Sequence, residues 1–322
     1  MTCARRLDRA ILEDLLAEGD MLILQRVPMS PRLAKLFSAL SNTGVVIVFE
    51  IDDDLLHLPS GSRFTELTTD DFSARLKQSI MCSHAVQCST HPLAEVVSEL
   101  HPEVAVLENQ MEQVPRFIHK EIGDRPFIIG YAAGEDHWLD WLTVKDSYNR
   151  IIAELEEAGD KVETWIIGDR AIFESIRSDR KTYFPLLNRR EYFEVLSCFD
   201  ISLMPLADIQ FNRSKSDIKF LESAACSCAV IASDTVYAES IVHGRTGLLF
   251  SEPHEFEKHL CELIRNPIRI SHLARNAYNY VKRDRLFHQH IEKWEKTYLN
   301  WLFNRNNLCS KVPACVNAMS VF

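Results

Sequence analysis

Short apolar runs alternate along this chain with longer segments in which apolar residues return every three or four positions. A short apolar or β-branched run predicts a buried strand, whereas the wider spacing predicts a helix with one apolar face. Regular alternation of the two is typical of a parallel sheet built from β–α–β units. The predicted strands are residues 21–24, 44–49, 85–88, 104–107, 127–130, 164–168, 201–204 and 229–232.

A polar segment from Val114 to Arg125 contains proline and glycine, interrupts the alternation and therefore predicts a linker. The predicted fold class is α/β, with two Rossmann-like lobes that each contain a parallel sheet. The first lobe covers residues 1–124. The second lobe and a closing helix cover residues 125–305, and a tail follows at 306–322.

The closing helix is predicted over about residues 287–303, and its aromatic spacing places one apolar face along its length. That face consists of Phe287, Ile291, Trp294, Tyr298 and Trp301. We expect these side chains to pack into a core, with the helix lying back toward the first lobe.

Composition and net charge restrict the functional classes to which this chain can belong. The chain has 322 residues, 46% of them hydrophobic and 25% charged, which is ordinary for a globular protein. Its net charge of −10 argues against nucleic-acid binding, which depends on broad neutralisation of phosphates. A single anionic ligand in a local basic pocket remains compatible with this charge.

The nine cysteines lack the C-x-x-C and Cys–His spacings of metal sites, and several fall in apolar stretches. We therefore expect reduced thiols and a cytoplasmic protein. No secretory signal is recognisable, and the apolar runs are far shorter than the roughly 20 residues of a membrane span. Peripheral association with the inner face of the membrane stays open.

The segment from Phe211 to Asp234 carries the most informative chemistry. A polar loop with Arg213 and Lys215 runs into a predicted helix whose first turns carry Lys219 and Glu222. A helix N-terminus with cations beside it favours a diphosphate, and a carboxylate one turn further can bind both hydroxyls of a ribose. The alternative is a solvated basic turn with a Lys219–Glu222 surface pair.

The order of motifs resembles the donor-binding half of retaining GT-B glycosyltransferases of group 1, the type found in bacterial surface-polysaccharide biosynthesis. The resemblance covers roughly residues 127–305. Its motifs are Ile129–Gly134, Trp165–Asp169, Phe199–Leu206, Lys219–Glu222, Ala229–Asp234, Glu239 and His243–Phe250.

This resemblance implies that the second lobe binds a nucleoside diphosphate sugar and that the first lobe binds a glycan or lipid-linked acceptor. It implies a catalytic role for His137, Lys215 and Lys219. For His137, two roles are open: a general acid or base, or a contact to the diphosphate from the glycine-rich loop, which the neighbouring glycine favours. The implied donor-binding residues are Gly134, Arg213, Ser214, Glu222 and Glu239. Such enzymes do not generally need a donor-bound metal, so neither a metal nor a cofactor beyond the donor substrate is expected.

Two features depart from the family pattern. The family commonly has a glutamate that contacts the donor sugar eight positions before the ribose-binding glutamate, and Ser214 stands there in this chain. Residues 1–20 read as a charged helix instead of the usual first strand and glycine-rich loop. The first lobe is therefore abbreviated, or the chain is part of a longer polypeptide or of a complex.

In the first lobe, Asp52, Asp53 and Asp54 follow a predicted strand and are expected to face the acceptor-side cleft, because ligands bind at the carboxyl ends of parallel strands. A metal site and a capping turn are alternatives for these aspartates.

Two alternatives to hexosyl transfer also remain. One is a non-catalytic GT-B-like subunit that binds a nucleotide sugar or a partner enzyme, and the other is a sugar-nucleotide epimerase.

Overall fold

The computed structural model describes residues 21–40, 43–59, 70–120, 125–134 and 137–311. These residues form two compact units. The first contains the described residues up to Glu108 and those from Ile291 onward, and the second contains Asn109–His290. Among the described helices, none combines the length and the apolar composition needed to cross a lipid bilayer.

The first unit is built on a four-stranded parallel sheet in the order β1-β2-β3-β4. Its elements are β1 (Met21–Gln25), α1 (Pro31–Leu40), β2 (Val46–Ile51), α2 (Asp70–Cys82), β3 (Ala85–Cys88), α3 (His91–Ser98) and β4 (Val104–Val106). One face of the sheet, with Phe49, Ile51 and Val86, packs against α1, α2 and α3. This face forms the larger core of the unit.

Helix starts in this unit follow the local sequence. Helix α1 begins at Pro31, and the Ser30 hydroxyl accepts a hydrogen bond from Leu33 N at 3.2 Å. Helix α3 is capped in the same way by Thr90, whose hydroxyl accepts from Leu93 N. Both caps satisfy backbone donors that a helix cannot satisfy internally.

The other face of the first sheet is covered by helices from the C-terminal part of the chain, α13 (Phe287–Phe303) and α14 (Arg305–Lys311). Trp301 is 1% exposed and donates from Nε1 to Glu103 Oε1 at 3.0 Å, while the Tyr298 hydroxyl lies 2.7 Å from Gln87 Oε1. The closing helix therefore packs on the first sheet, as predicted. Its predicted apolar face is only partly buried, because Phe287 and Ile291 remain 37% and 49% exposed.

The second unit is built on a six-stranded parallel sheet in the order β10-β9-β8-β5-β6-β7. Its strands are β5 (Phe127–Ala133), β6 (Val162–Gly168), β7 (Lys181–Phe184), β8 (Ile201–Met204), β9 (Ala229–Ser233) and β10 (Leu248–Phe250). Its helices are α4 (Trp138–Leu142), α5 (Lys145–Glu157), α6 (Arg170–Ser175), α7 (Arg189–Leu196), α8 (Gln210–Arg213), α9 (Ile218–Ala225), α10 (Asp234–Tyr237), α11 (Pro253–Arg265) and α12 (Pro267–Asp284).

The predicted strands all appear, and the sequence reading missed only short ones among the described residues of the second unit. Strands β7 and β10 have four and three residues and lie at the two edges of the sheet. Short edge strands carry a weak periodic signal because they have few buried positions.

The described part of the predicted linker is hydrogen-bonded to the second unit and packs as part of it. Met111 exchanges backbone hydrogen bonds with Arg285 and Phe287, the Tyr278 hydroxyl donates to Pro115 O at 2.8 Å, and Ile118 N donates to Ser227 Oγ at 3.0 Å. The division of the chain falls between Glu108 and Asn109, ahead of the expected boundary at 124/125.

Candidate functional site

The candidate site lies where the strand order of the second sheet changes direction. In this sheet, β6 and β7 lie on one side of β5, and β8, β9 and β10, which follow later in the chain, lie on the other side. The loops that follow β5 and β8 therefore diverge at a topological switch point, the usual place for a ligand in an open α/β sheet. The loop after β5 leads to His137, and the segment after β8 carries Lys215 and Lys219.

Three side chains from these segments form a continuous hydrogen-bonded network. His137 Nδ1 lies 2.7 Å from Asp140 Oδ2, and His137 Nε2 lies 2.8 Å from Lys219 Nζ. Lys219 Nζ also donates to Ala132 O at 3.0 Å. The network joins the end of β5 to the first turn of α9, and the His137 side chain is only 11% exposed.

Burial and the neighbouring charged groups determine the charge state of His137. Burial and the nearby Lys219 cation lower the pKa of His137 to about 4, although Asp140 acts in the opposite sense. Burial raises the pKa of Asp140, but its hydrogen bonds from His137, Ala207 and Asn212 outweigh that effect and bring it below its ordinary value. At neutral pH, the site therefore contains a neutral imidazole beside an ionised carboxylate.

Glu222 and Lys219 are both half-buried, which differs from an exposed surface pair. The Tyr192 hydroxyl donates to Glu222 Oε2 at 2.9 Å, and Lys219 is directed to Ala132 and His137. Burial raises the pKa of the Glu222 carboxyl, while Tyr192 and Lys219 lower it. These contacts disfavour the solvated basic turn as an account of the segment.

The N-cap residue of α9 uses its side chain for contacts outside the helix. Asp217, the N-cap, does not bind the helix N–H groups with its side chain. Its carboxylate accepts two hydrogen bonds from Arg285 at 2.6 and 3.0 Å and another from Ser240. A negative side chain is thus held away from the positive end of the helix dipole.

The remaining predicted donor residues are placed differently from one another. Lys215 Nζ lies 4.2 Å from the centroid of the Phe211 ring, and its charge also lowers the pKa of His137. Arg213 is exposed and pairs with Asp208, whereas Ser214 is fully buried at the end of α8.

Gly134 and Glu239 occupy open positions in the second unit. Gly134 follows β5, and a Cβ added there would have no heavy atom of the neighbouring described residues within 4 Å. Packing against the described residues therefore does not require glycine at this position. Glu239 lies exposed in the turn after α10.

In the first unit, the three predicted aspartates have different environments. Asp54 is fully buried, and its carboxylate binds His57 Nδ1 at 2.9 Å. Asp52 lies 3.2 Å from Arg26 Nε, and its carbonyl accepts a hydrogen bond from Ser89. Asp53 is half-buried, and its carbonyl accepts from the backbone of the turn. Asp54 thus stabilises the turn after β2 through His57, and residues 52–59 contain no helix that this carboxylate could cap.

No metal centre emerges from these side chains. Within the described ranges, no three His, Cys, Asp or Glu residues are grouped as metal ligands. The contacts also include residues to which the sequence assigned no role in the site, namely Asp140, Asn212 and Arg285. The i,i+3 spacing of His137 and Asp140 was a local signal for the first of them, whereas the partners of Asn212 and Arg285 are distant in sequence.

Comparisons with known proteins identify a similar family and similar folds. Residues 130–266 match the family described as Glycosyl transferases group 1. Among solved structures, Anabaena Alr3699/HepE in complex with UDP-glucose is similar with a TM-score of 0.63 at 11% identity, over 90% of this chain and 82% of that one. Sucrose-phosphate synthase from Thermosynechococcus elongatus has a TM-score of 0.65 at 11% identity, over 90% and 76%.

The structure of TarM is similar with a TM-score of 0.58 at 10% identity, over 86% of this chain, which spans 54% of the TarM chain. A comparison with curated proteins found no match. The fold is therefore of the GT-B class, as predicted. Within the second unit, residues 130–266 are similar to group 1 glycosyltransferases.

Proposed function

We propose that this protein transfers a hexose from a nucleoside diphosphate sugar to a glycan or lipid-linked acceptor, with retention at the anomeric carbon. The observation that carries the proposal is the placement of Lys219 at the switch point, in the first turn of α9 and hydrogen-bonded to His137. The family match and the UDP-glucose bound by the similar HepE structure support a nucleotide-sugar donor.

The donor diphosphate would lie at the N-terminus of α9. Lys219 and Lys215 would supply charge-assisted hydrogen bonds, and the helix end would supply backbone N–H groups. These interactions strengthen as the leaving diphosphate gains negative charge, so they lower the barrier to departure of the sugar. Glu222, one turn further along α9, would bind the ribose hydroxyls.

His137 would orient Lys219 and would not act as a general acid. A histidine with a pKa of about 4 carries no acidic proton to donate at neutral pH. The proton on the departing diphosphate would therefore come from solvent or from the acceptor hydroxyl. Retention follows if the acceptor attacks the face of the sugar from which the diphosphate leaves.

One observation favours the non-catalytic alternative. Ser214 occupies the position where group 1 enzymes commonly have a sugar-contacting glutamate, and it is fully buried. The donor sugar must then be bound by another residue, or the protein binds a nucleotide sugar without transferring it.

Replacing Lys219 with alanine tests the proposal. We expect donor turnover to fall about 10²- to 10³-fold, because a preorganised cation for the leaving group is lost. Lys258→Ala, on the exposed face of α11, is the matched control and should leave turnover unchanged. The measurement is release of nucleoside diphosphate from a panel of UDP, GDP and ADP sugars.

Unchanged turnover in Lys219→Ala would contradict the assignment of the donor site. If the wild-type protein binds nucleoside diphosphates by calorimetry but turns over none of the sugars with any acceptor, the non-catalytic alternative is favoured.

A further inference from the structure

Asp140 accepts hydrogen bonds on both carboxylate oxygens from three separate segments of the second unit. His137 Nδ1 lies 2.7 Å from Oδ2, while Ala207 N and Asn212 Nδ2 donate to Oδ1 at 2.9 and 2.7 Å. The residue is 2% exposed. It therefore connects the start of α4 with the loop after β8 and with α8.

The hydrogen-bond donors around Asp140 restrict which side chain can stand at this position. Ala207 N–H and the Asn212 amide can only donate along these contacts, so Oδ1 must be an acceptor. Oδ2 must also be an acceptor if His137 carries its proton on Nδ1. An asparagine at residue 140 has one acceptor oxygen and one NH₂ group, so it cannot satisfy both sides.

The proton position on His137 then determines the contact with Lys219. With the proton on Nδ1, the Nε2 lone pair accepts a hydrogen bond from Lys219 Nζ, 2.8 Å away. With the proton on Nε2, two donors would face each other across that distance. Only one neutral tautomer is compatible with the whole network.

We propose that Asp140 is a positioning residue that holds His137 in the Nδ1–H tautomer and thereby fixes the amine of Lys219 for the donor diphosphate. This inference rests on the proposed function, because it takes Lys219 to be the diphosphate ligand. Through Asn212 the same carboxylate also anchors α8, immediately before Lys215.

Proton transfer along the network is not part of this role. Burial and the Lys219 cation keep the pKa of His137 about 4, and the hydrogen bonds received by Asp140 keep its pKa below the ordinary value despite its burial. At neutral pH neither group changes its protonation state, so Asp140 acts through orientation.

The first test is spectroscopic and needs no substrate. Long-range ¹H–¹⁵N spectra of the imidazoles at neutral pH report the tautomer of each histidine, and His137 is assigned by its absence in His137→Gln. We expect a neutral Nδ1–H ring in the wild-type protein. An Nε2–H ring or an imidazolium would overturn the proposal.

The second test compares Asp140→Asn with Asp146→Asn, an exposed carboxylate at the start of α5. We expect Asp140→Asn to lose the Nδ1–H signature of His137 and to turn over donor about 10²-fold more slowly, because the amine of Lys219 is misplaced. Asp146→Asn should match the wild type. Asp140→Glu, which keeps two acceptor oxygens, should recover part of the loss.

Wild-type turnover in a folded Asp140→Asn would overturn the proposal. If Asp140→Asn does not fold, His137→Gln and His137→Phe decide instead. Glutamine offers an N–H to Asp140 and an oxygen to Lys219, so it should retain more turnover than phenylalanine, and equal losses would overturn the proposal. If the wild-type protein turns over no donor, the proposed function fails. The tautomer of His137, measured spectroscopically, then still shows whether Asp140 holds the ring in the Nδ1–H form.

Discussion

Single residues in this protein take their properties from what surrounds them. Glu50, near the end of β2, is paired in register with Gln25 on β1 and Gln87 on β3. Burial, together with the nearby Asp52, raises the pKa of Glu50 to about 7, although Gln25 and Arg26 oppose the change. A carboxyl in this setting is largely protonated in mildly acid solution and ionises near neutrality.

This property predicts a pH-dependent stability. The folded protein holds the Glu50 proton more tightly than the unfolded chain, so the contribution of Glu50 to the free energy of unfolding falls as pH rises from 4.5 to about 7. Glu50→Gln cannot ionise and should remove this fall, which makes it more stable than the wild type at about pH 8 and similar to it near about pH 4.

Urea denaturation of both proteins across this range measures the difference. Glu95→Gln, an exposed change on α3, is the control and should follow the wild-type profile. A Glu50→Gln profile parallel to that of the wild type would show that Glu50 has an ordinary pKa.

At the scale of elements, an ion pair joins Asp217, the N-cap residue of α9, to Arg285, the residue that follows α12. Arg285 donates to both carboxylate oxygens of Asp217, to Asn109 O at 3.1 Å and to Gln110 Oε1 at 2.9 Å. Both side chains of the pair are less than 15% exposed. Arg285 thus connects the segment that begins the second unit to the helix of the candidate donor site.

Removing this cation leaves a buried, unpaired carboxylate. We expect Arg285→Met to lower the free energy of unfolding of the second unit by about 3–5 kcal/mol, and to weaken nucleoside diphosphate binding because the Asp217 charge can turn toward the helix end. Arg190→Met removes an exposed partner of Glu194 on α7 and should change neither quantity measurably.

Chemical denaturation and calorimetry with UDP measure the two effects. Equal stability of the two variants would show that the Asp217–Arg285 pair contributes no more than a surface pair.

At the scale of the whole molecule, the chain returns to its first unit after completing the second. Trp301 is buried against the first sheet with Val46, Val48 and Ala85, whereas the candidate donor residues belong to the second unit. We therefore expect substitutions in the core around Trp301 to change the stability of the first unit, and substitutions of the candidate donor residues to change donor binding by the second unit.

Trp301→Ala tests this separation. Loss of a buried indole should lower the free energy of unfolding of the first unit by about 3–5 kcal/mol, while binding of UDP stays at the wild-type affinity. Phe303→Ala, at an 83% exposed position on the same helix, should affect neither. Scanning calorimetry and titration with UDP provide the measurements, and loss of UDP binding in Trp301→Ala would place part of the donor site in the first unit.

The sequence by itself determined the features that depend on neighbouring residues. Apolar runs predicted every described strand except β7 and β10, and the resemblance of the motifs after residue 127 to group 1 glycosyltransferases predicted the GT-B fold. The apolar runs are local signals, because a strand or helix periodicity involves residues within a few positions of each other.

Only the tertiary structure decided how distant residues use one another. It brought His137 within 2.8 Å of Lys219, 82 positions away, and lowered the pKa of His137 to about 4. It directed Asp54 into a buried turn with His57 and attached the predicted linker to the second unit. Burial, protonation and hydrogen-bond partners depend on elements that meet only when the chain folds, so the residue pattern alone does not specify them.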